Sequence, residues 1–116
     1  MSSSKDVSSL MSEAAAHHQA GRLGQAEALY RRVLENDPSQ ADALHWLGVL
    51  CQQNGDSKTA LDLIGKAVEL SPQAADFVNN LGNIHMAREE TDDAAACYEK
   101  ALSLNPALSK IGRAHV

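Results

Sequence analysis

The chain has three prolines, Pro38, Pro72 and Pro106, and they recur at one constant interval, since 72 − 38 equals 106 − 72. A fixed interval of roughly 30–35 residues marks a repeat array, in which one supersecondary unit is copied along the chain and each copy packs on its neighbours. Each proline closes a near-copy of one phrase: Ala26…Tyr30…Val33-Leu34…Asn36-Asp37-Pro38, then Ala60…Ile64…Ala67-Val68…Leu70-Ser71-Pro72, then Ala94…Tyr98…Ala101-Leu102…Leu104-Asn105-Pro106. Counting back from the prolines divides the chain into units at 7–40, 41–74 and 75–108. Residues 1–6 are expected to be a disordered N-terminus, and 109–116 a tail.

The second unit shows how one repeat is built. Leu44, Leu47, Val49, Leu50 and Cys51 recur at three- and four-residue steps and gather on one side of a first helix. Gln53-Asn54-Gly55-Asp56 interrupts it: Gly55 can take the left-handed conformation that ends a helix, and Asp56 or Ser57 can cap the next. The spacing predicts a second helix from about Lys58 to Leu70, with Ala60, Leu61, Ile64, Ala67 and Val68 on its apolar side. Pro72 stops it, because the residue before a proline is pushed out of the α region. Neither helix can bury its stripe alone, so the pair folds into a hairpin and the hairpins stack. The expected fold is all-α, a right-handed superhelix of three hairpins, or six helices.

Small residues make close crossings feasible. Gly48 and Gly82 occupy one place in the first helices of units two and three, and Ala26, Ala60 and Ala94 one place in the second helices. At 116 residues and 44% hydrophobic, the chain suits one domain with a core that needs no metal or disulfide staple. Cys51 and Cys97 fall at different places in different units, which fits reduced packing residues. No apolar run approaches the roughly 20 residues of a membrane span, and the start Met1-Ser-Ser-Ser-Lys5 lacks a secretory apolar segment. The expectation is a cytoplasmic protein with no membrane partner. A net charge of −5 with scattered basic residues argues against nucleic acid. The last six residues, Ile111 to Val116, match the translation of a common sequencing adapter. The natural chain is therefore expected to continue past Lys110.

The pattern Leu44…Leu47-Gly48…Gly55…Ala60…Ile64…Ala67…Pro72 resembles the tetratricopeptide repeat (TPR), and the resemblance runs from Val7 to Leu108. Unit one is degenerate. Glu13 and Ala14 stand where leucine and glycine are usual, while Gly21, Ala26, Tyr30 and Pro38 conform. A glutamate there is costly to bury, so the first helix of unit one is expected to be the exposed cap of the stack. At the other end, Ala94, Ala95, Cys97, Tyr98, Ala101 and Leu102 form a stripe with no covering helix, which suggests truncation or self-association through that helix.

Motifs for catalysis or metal binding are missing. His17, Cys51 and His85 share one position of three successive units, but repeats stacked about 8–10 Å apart cannot bring them to one ion. His17 and His18 diverge by about 100° on one helix. There is no HExxH, GxxxxGK or GxSxG. No enzyme activity, cofactor or metal is expected. Glu89-Glu90-Thr91-Asp92-Asp93 reads as a helix start, with Thr91 or Asp92 as the cap.

The resemblance implies a concave surface built from the first helix of each unit. Carried onto this sequence it comprises Met11, Ser12, Ala15, His18 and Gln19; Asp42, His45, Trp46, Val49, Gln52 and Gln53; and Asp76, Asn79, Asn80, Asn83, Met86 and Ala87. The carboxylate clamp by which chaperone-binding relatives hold an acidic C-terminus needs Lys and Arg at these places, and they are missing. Asn79-Asn80-Leu81-Gly82-Asn83 instead resembles repeats of the O-linked N-acetylglucosamine transferase type, where asparagines grip an extended peptide. Trp46 either reaches the groove or packs on the adjacent first helix. The expectation is a protein–protein interaction scaffold that binds a peptide through His18, His45, Trp46, Val49, Gln52, Gln53, Asn79, Asn80, Asn83 and Met86. The alternative is the substrate-presenting N-terminal region of a larger glycosyltransferase or sulfotransferase. The phrase Ala16-His17-His18-Gln19-Ala20-Gly21-Arg22-Leu23 resembles the openings of such bacterial proteins. The close-crossing argument yields a first test: Ala60→Leu should cost roughly 1–3 kcal/mol of stability by urea unfolding, because the site has no room to expand.

Overall fold

Each turn signal sits at a helix boundary in the computed structural model, which describes residues 6–108. The helices are α1 (Val7–Gln19), α2 (Leu23–Asn36), α3 (Ala41–Gln53), α4 (Ser57–Leu70), α5 (Ala75–Ala87) and α6 (Thr91–Leu104). Equivalent helices begin at the interval of the prolines, at positions 7, 41 and 75 and at positions 23, 57 and 91. Residues 1–5 and the whole tail, the adapter-like segment included, lie outside the described residues. Asp6, counted with the N-terminal segment above, accepts the Ser9 amide at 2.8 Å and caps α1.

The helix ends have local causes. Asp37, Ser71 and Asn105, each just before a proline, have ψ of 88°, 71° and 92°, outside the helical range as a following proline demands. Asp56 caps α4 by accepting the Thr59 amide at 3.1 Å. For α6 the expected cap is corrected: the helix starts at Thr91, Glu90 takes the cap position, and it makes no side-chain cap bond. Its carboxylate instead accepts from His85 Nδ1 at 2.8 Å and from Arg88 Nε at 3.2 Å.

The three hairpin turns share one backbone. The amides of Arg22, Asp56 and Glu90 donate to the carbonyls of His17, Cys51 and His85 at 2.8–2.9 Å. The residue before each of those amides has positive φ: Gly21 at 82°, Gly55 at 86° and Glu89 at 62°. Two units place glycine where the turn requires it and the third does not.

Packing repeats with the same period. Leu10, Val33 and Ala43 form one buried cluster, and their counterparts one unit further on, Leu44, Ala67 and Phe77, form the next. Between them lies a larger cluster including Ala26, Tyr30, Leu47, Leu50, Ala60, Ile64 and Ile84. Gly48 lies where a methyl group would strike Ile64 Cγ1 and approach the Ala60 carbonyl oxygen to 3.3 Å. Ile64 is fully buried and cannot yield. Ala26, Ala60 and Ala94 are likewise fully buried. The cysteines are free, Cys51 buried within the central cluster and Cys97 partly so. The described residues contain no strand, and no described helix is long and apolar enough to cross a membrane. On α6, Ala94 and Ala101 are buried while Leu102 is exposed.

Left-handed backbone costs an L-residue roughly 1–2 kcal/mol, partly offset by the greater unfolded-state freedom of glycine. Glu89→Gly should therefore stabilise the fold by about 0.5–1 kcal/mol. Glu89→Ala serves as the control and should give no gain in thermal or urea unfolding, since the benefit comes from the backbone.

Candidate functional site

The second helices cover one side of α1, α3 and α5, and the other side is open. Polar contacts between successive first helices follow a fixed offset. His18 of α1 meets Gln53 of α3, with Nε2 donating to Oε1 at 2.6 Å. His45 of α3 meets Asn80 of α5, whose Nδ2 donates to the ring Nε2 at 2.8 Å. Both pairs are 35 residues apart.

The second pair ends a directed chain. Tyr98 on α6 donates to Asn83 Oδ1 at 2.7 Å, Asn83 Nδ2 donates to Asn80 Oδ1 at 3.2 Å, and Asn80 donates to His45. Such chains strengthen cooperatively, and this one fixes each amide's orientation. It also places the ring proton of neutral His45 on Nδ1, which is buried without a partner among the described residues. His45 is only 1% exposed and stacks on Phe77 at a ring separation of 4.4 Å. Burial lowers its pKa from 6.5, with Asp76 and Asp42 pulling partly back.

Among the recesses of this face, two are bordered by Gln53. One, of about 160 Å³, is lined by Val49, Gln52, Gln53, Asn80 and Asn83 over a floor of Ile64 and Ile84. The other, of about 310 Å³, lies between α1 and α3 and is lined by Ala15, His18, Gln19, Tyr30, Trp46 and Gln53. Gln53 stands between them and borders both. Gln52 Oε1 is buried and has no partner among the described residues.

The residues expected at the groove divide by position. His18, Trp46, Val49, Gln52, Gln53, Asn80 and Asn83 line the recesses. Asn79 is half-buried and Met86 is 47% exposed, and neither lines them. His45 lies beneath the surface, hydrogen-bonded to Asn80 and against the ring of the exposed Trp46. Trp46 is 41% exposed, borders the recess between α1 and α3, and meets two rings edge-on, His18 at 6.0 Å and His45 at 4.8 Å. Sequence reasoning missed Tyr30 and Tyr98, which reach this face from second helices. Tyr30 lines the larger recess and lies 3.4 Å from His18 Nδ1. The available signal was chemical: a tyrosine on a buried stripe needs a partner for its hydroxyl, and only the first-helix polar face supplies one.

His17, Cys51 and His85 go to separate partners. His17 accepts from Arg22, Cys51 is in the core, and His85 binds Glu90. His85, Glu90 and Asp93 do place ligand atoms within 4.8 Å of one another, but Arg88 already neutralises Glu90. Among the described residues, α1, α3 and α5 carry no Lys or Arg, while bearing Glu13, Asp42 and Asp76. Arg31, Arg32, Lys58, Lys66 and Lys100 lie on second helices, and Arg22 and Arg88 in turns.

The geometry defines a helical-hairpin repeat module with an open polar face. Two tetratricopeptide repeat models match the chain, at residues 11–75 and 75–108, and the protein belongs to that family. Its repeats resemble those of O-GlcNAc transferases. A mutant O-GlcNAc transferase of Thermobaculum terrenum superposes with a TM-score of 0.85 at 32% identity, over 86% of this chain and 19% of that one. A probable UDP-N-acetylglucosamine–peptide N-acetylglucosaminyltransferase SPINDLY of Solanum lycopersicum is 33% identical over 70% of this chain, which spans only 9% of that protein. The first TPR of Spaghetti (RPAP3), solved with an HSP90 peptide, has the same fold, with a TM-score of 0.82 at 19% identity over 93% of this chain and 91% of that one.

The buried imidazole makes stability depend on pH. A histidine whose folded pKa is depressed binds its proton more readily in the unfolded chain, so its stabilising effect is complete above the ordinary value and lost below it. Urea unfolding should show stability falling as pH drops below about 6.5. His45→Asn should flatten that part of the profile relative to the parent protein.

Proposed function

We propose that this protein is a binding module that holds an extended segment of another protein across α1, α3 and α5, and performs no chemistry of its own. The observation that carries the reading is the run of amide side chains along one open face: Gln53, Gln52, Asn80 and Asn83, together lining a recess with an apolar floor. An amide offers one acceptor and two donors, so it pairs with a peptide group without reading sequence. Asn80 and Asn83 are already oriented by Tyr98 and His45, which lowers the ordering cost of binding. Asn79 and Met86, outside both recesses, complete the proposed contact set. The solved neighbour holding a peptide supports a peptide as the ligand class. The lack of cations on the first helices disfavours an acidic C-terminus like those held by a carboxylate clamp.

A second reading draws on the O-GlcNAc transferase likeness. In it, the same face presents substrate segments to a catalytic domain in a longer protein. Both readings use one groove, and they part on whether a transferase follows in the gene.

Three hairpins offer a small surface, so affinity should be weak and fast-exchanging. For a peptide selected on the protein by display, the double variant Asn83→Ala with Gln53→Ala should lower affinity about tenfold, as expected for two lost hydrogen bonds. The measurement is by NMR titration, and unchanged affinity would remove the amide groove. Asn79→Ala should have the smaller effect, because that residue lies outside both recesses.

A further inference from the structure

Resting on the groove reading, we infer that the recess between α1 and α3 seats a basic side chain of the bound segment, with Trp46 as its platform and Asp42 as its counter-charge. Three independent observations meet there. First, Trp46 is 41% exposed although two rings already pack on it, and with Tyr30 and His18 it gives the 310 Å³ recess an aromatic lining. Aromatic faces attract cations, and a planar guanidinium also stacks on them.

Second, Asp42 precedes Trp46 by four residues on α3, which puts the two side chains on neighbouring turns of one helix face. Ala15 borders both the recess and a separate hollow lined by Ser12, Gln40 and Asp42. A side chain lying along Trp46 thus ends near a negative charge that is exposed and not enclosed.

Third, no competing cation is at hand. The first helices carry no Lys or Arg among the described residues. An acidic ligand side chain would meet repulsion with nothing to offset it. An apolar one would fill the recess but leave the field unused. At the rim Gln19 can accept from a guanidinium, and Gln53 Oε1, which already accepts from His18, has a second lone pair to offer.

The test uses capped peptides Ac-Ser-Ala-X-Ala-Ser-NH2 with X as arginine, norleucine or glutamate, titrated into 15N-labelled protein at low salt. The arginine peptide should bind at least fivefold more tightly than either other peptide. It should shift the Trp46 indole resonance most, and lose its advantage at high salt. Trp46→Leu, at a half-exposed position, and Asp42→Asn, at an exposed one, should each remove most of that preference while the protein stays folded by circular dichroism. Norleucine binding as tightly as arginine would overturn the charge assignment and leave the groove standing. Perturbation confined to surfaces away from α1 and α3 would overturn the site, and no perturbation by any peptide would overturn both the site and the groove.

Discussion

The first helices α3 and α5 must each bury apolar surface against two second helices, their own and the one before it, while α1 packs on α2, and the arrangement of every other part follows. The contact with the preceding unit repeats as a triplet: Leu10, Val33 and Ala43, then Leu44, Ala67 and Phe77. Within the triplet, size is exchanged across the junction. Where the second helix brings valine the next first helix brings alanine, and where it brings alanine the next brings phenylalanine. Close packing at constant backbone spacing demands that exchange, because a void or an overlap at one junction would tilt everything stacked beyond it. The within-hairpin contact is tighter still, since Gly48 leaves no room for a methyl group above Ile64 and Ala60. With two sides of α3 and α5 and one of α1 committed in this way, the remaining side of each is left as open surface.

That surface is polar for a structural reason as well as a functional one. First helices of successive units do not interlock deeply, so side chains long enough to span the gap must join them. His18 with Gln53 and His45 with Asn80 do so at a common offset of 35 residues. Placing His45 under the surface is unfavourable in itself, with one ring nitrogen unpartnered among the described residues. In return, Asn80 and Asn83 are held in single orientations by a chain of hydrogen bonds reaching to Tyr98. Rigidity in the amides is what a shallow groove needs, because it has little area with which to offset ordering on binding.

Much of this was legible in the residues. Proline spacing, Gly55, Asp56 and the three- and four-residue steps located the helices to within a residue or so, because those signals act through local sterics and hydrogen bonds. The groove face was legible as a set of positions, through family resemblance. Its internal state was not. Whether His45 faces outward or lies beneath Asn80 depends on Phe77, a residue of the next first helix whose ring it stacks upon. Glu90 does stand at the start of α6, but it takes the cap position expected of Thr91 or Asp92, and His85 and Arg88 draw its carboxylate back across the turn. Glu89 carried a readable signal, standing in its unit where Gly21 and Gly55 stand in theirs, that became plain only once its positive φ was seen.

The charge distribution bears on function more than any single side chain. Asp42 and Asp76 lie in the first turns of α3 and α5, where the helix dipole alone favours acids. The same dipole favours cations in last turns. Yet α3 ends in Gln52 and Gln53 with no basic residue, and α1 and α5 end with histidines in place of Lys or Arg. Helix stability therefore accounts for the acids; the last turns of α2, α4 and α6 carry no Lys or Arg either, so what sets the first helices apart is the lack of these cations along their whole length. Lys and Arg are placed freely on the second helices and turns, so composition does not account for it either. A wall kept clear of positive charge while amides and an exposed tryptophan accumulate on it is what a surface selective for neutral backbone and basic side chains would require. The stacking constraint alone would tolerate lysine at any of those open positions.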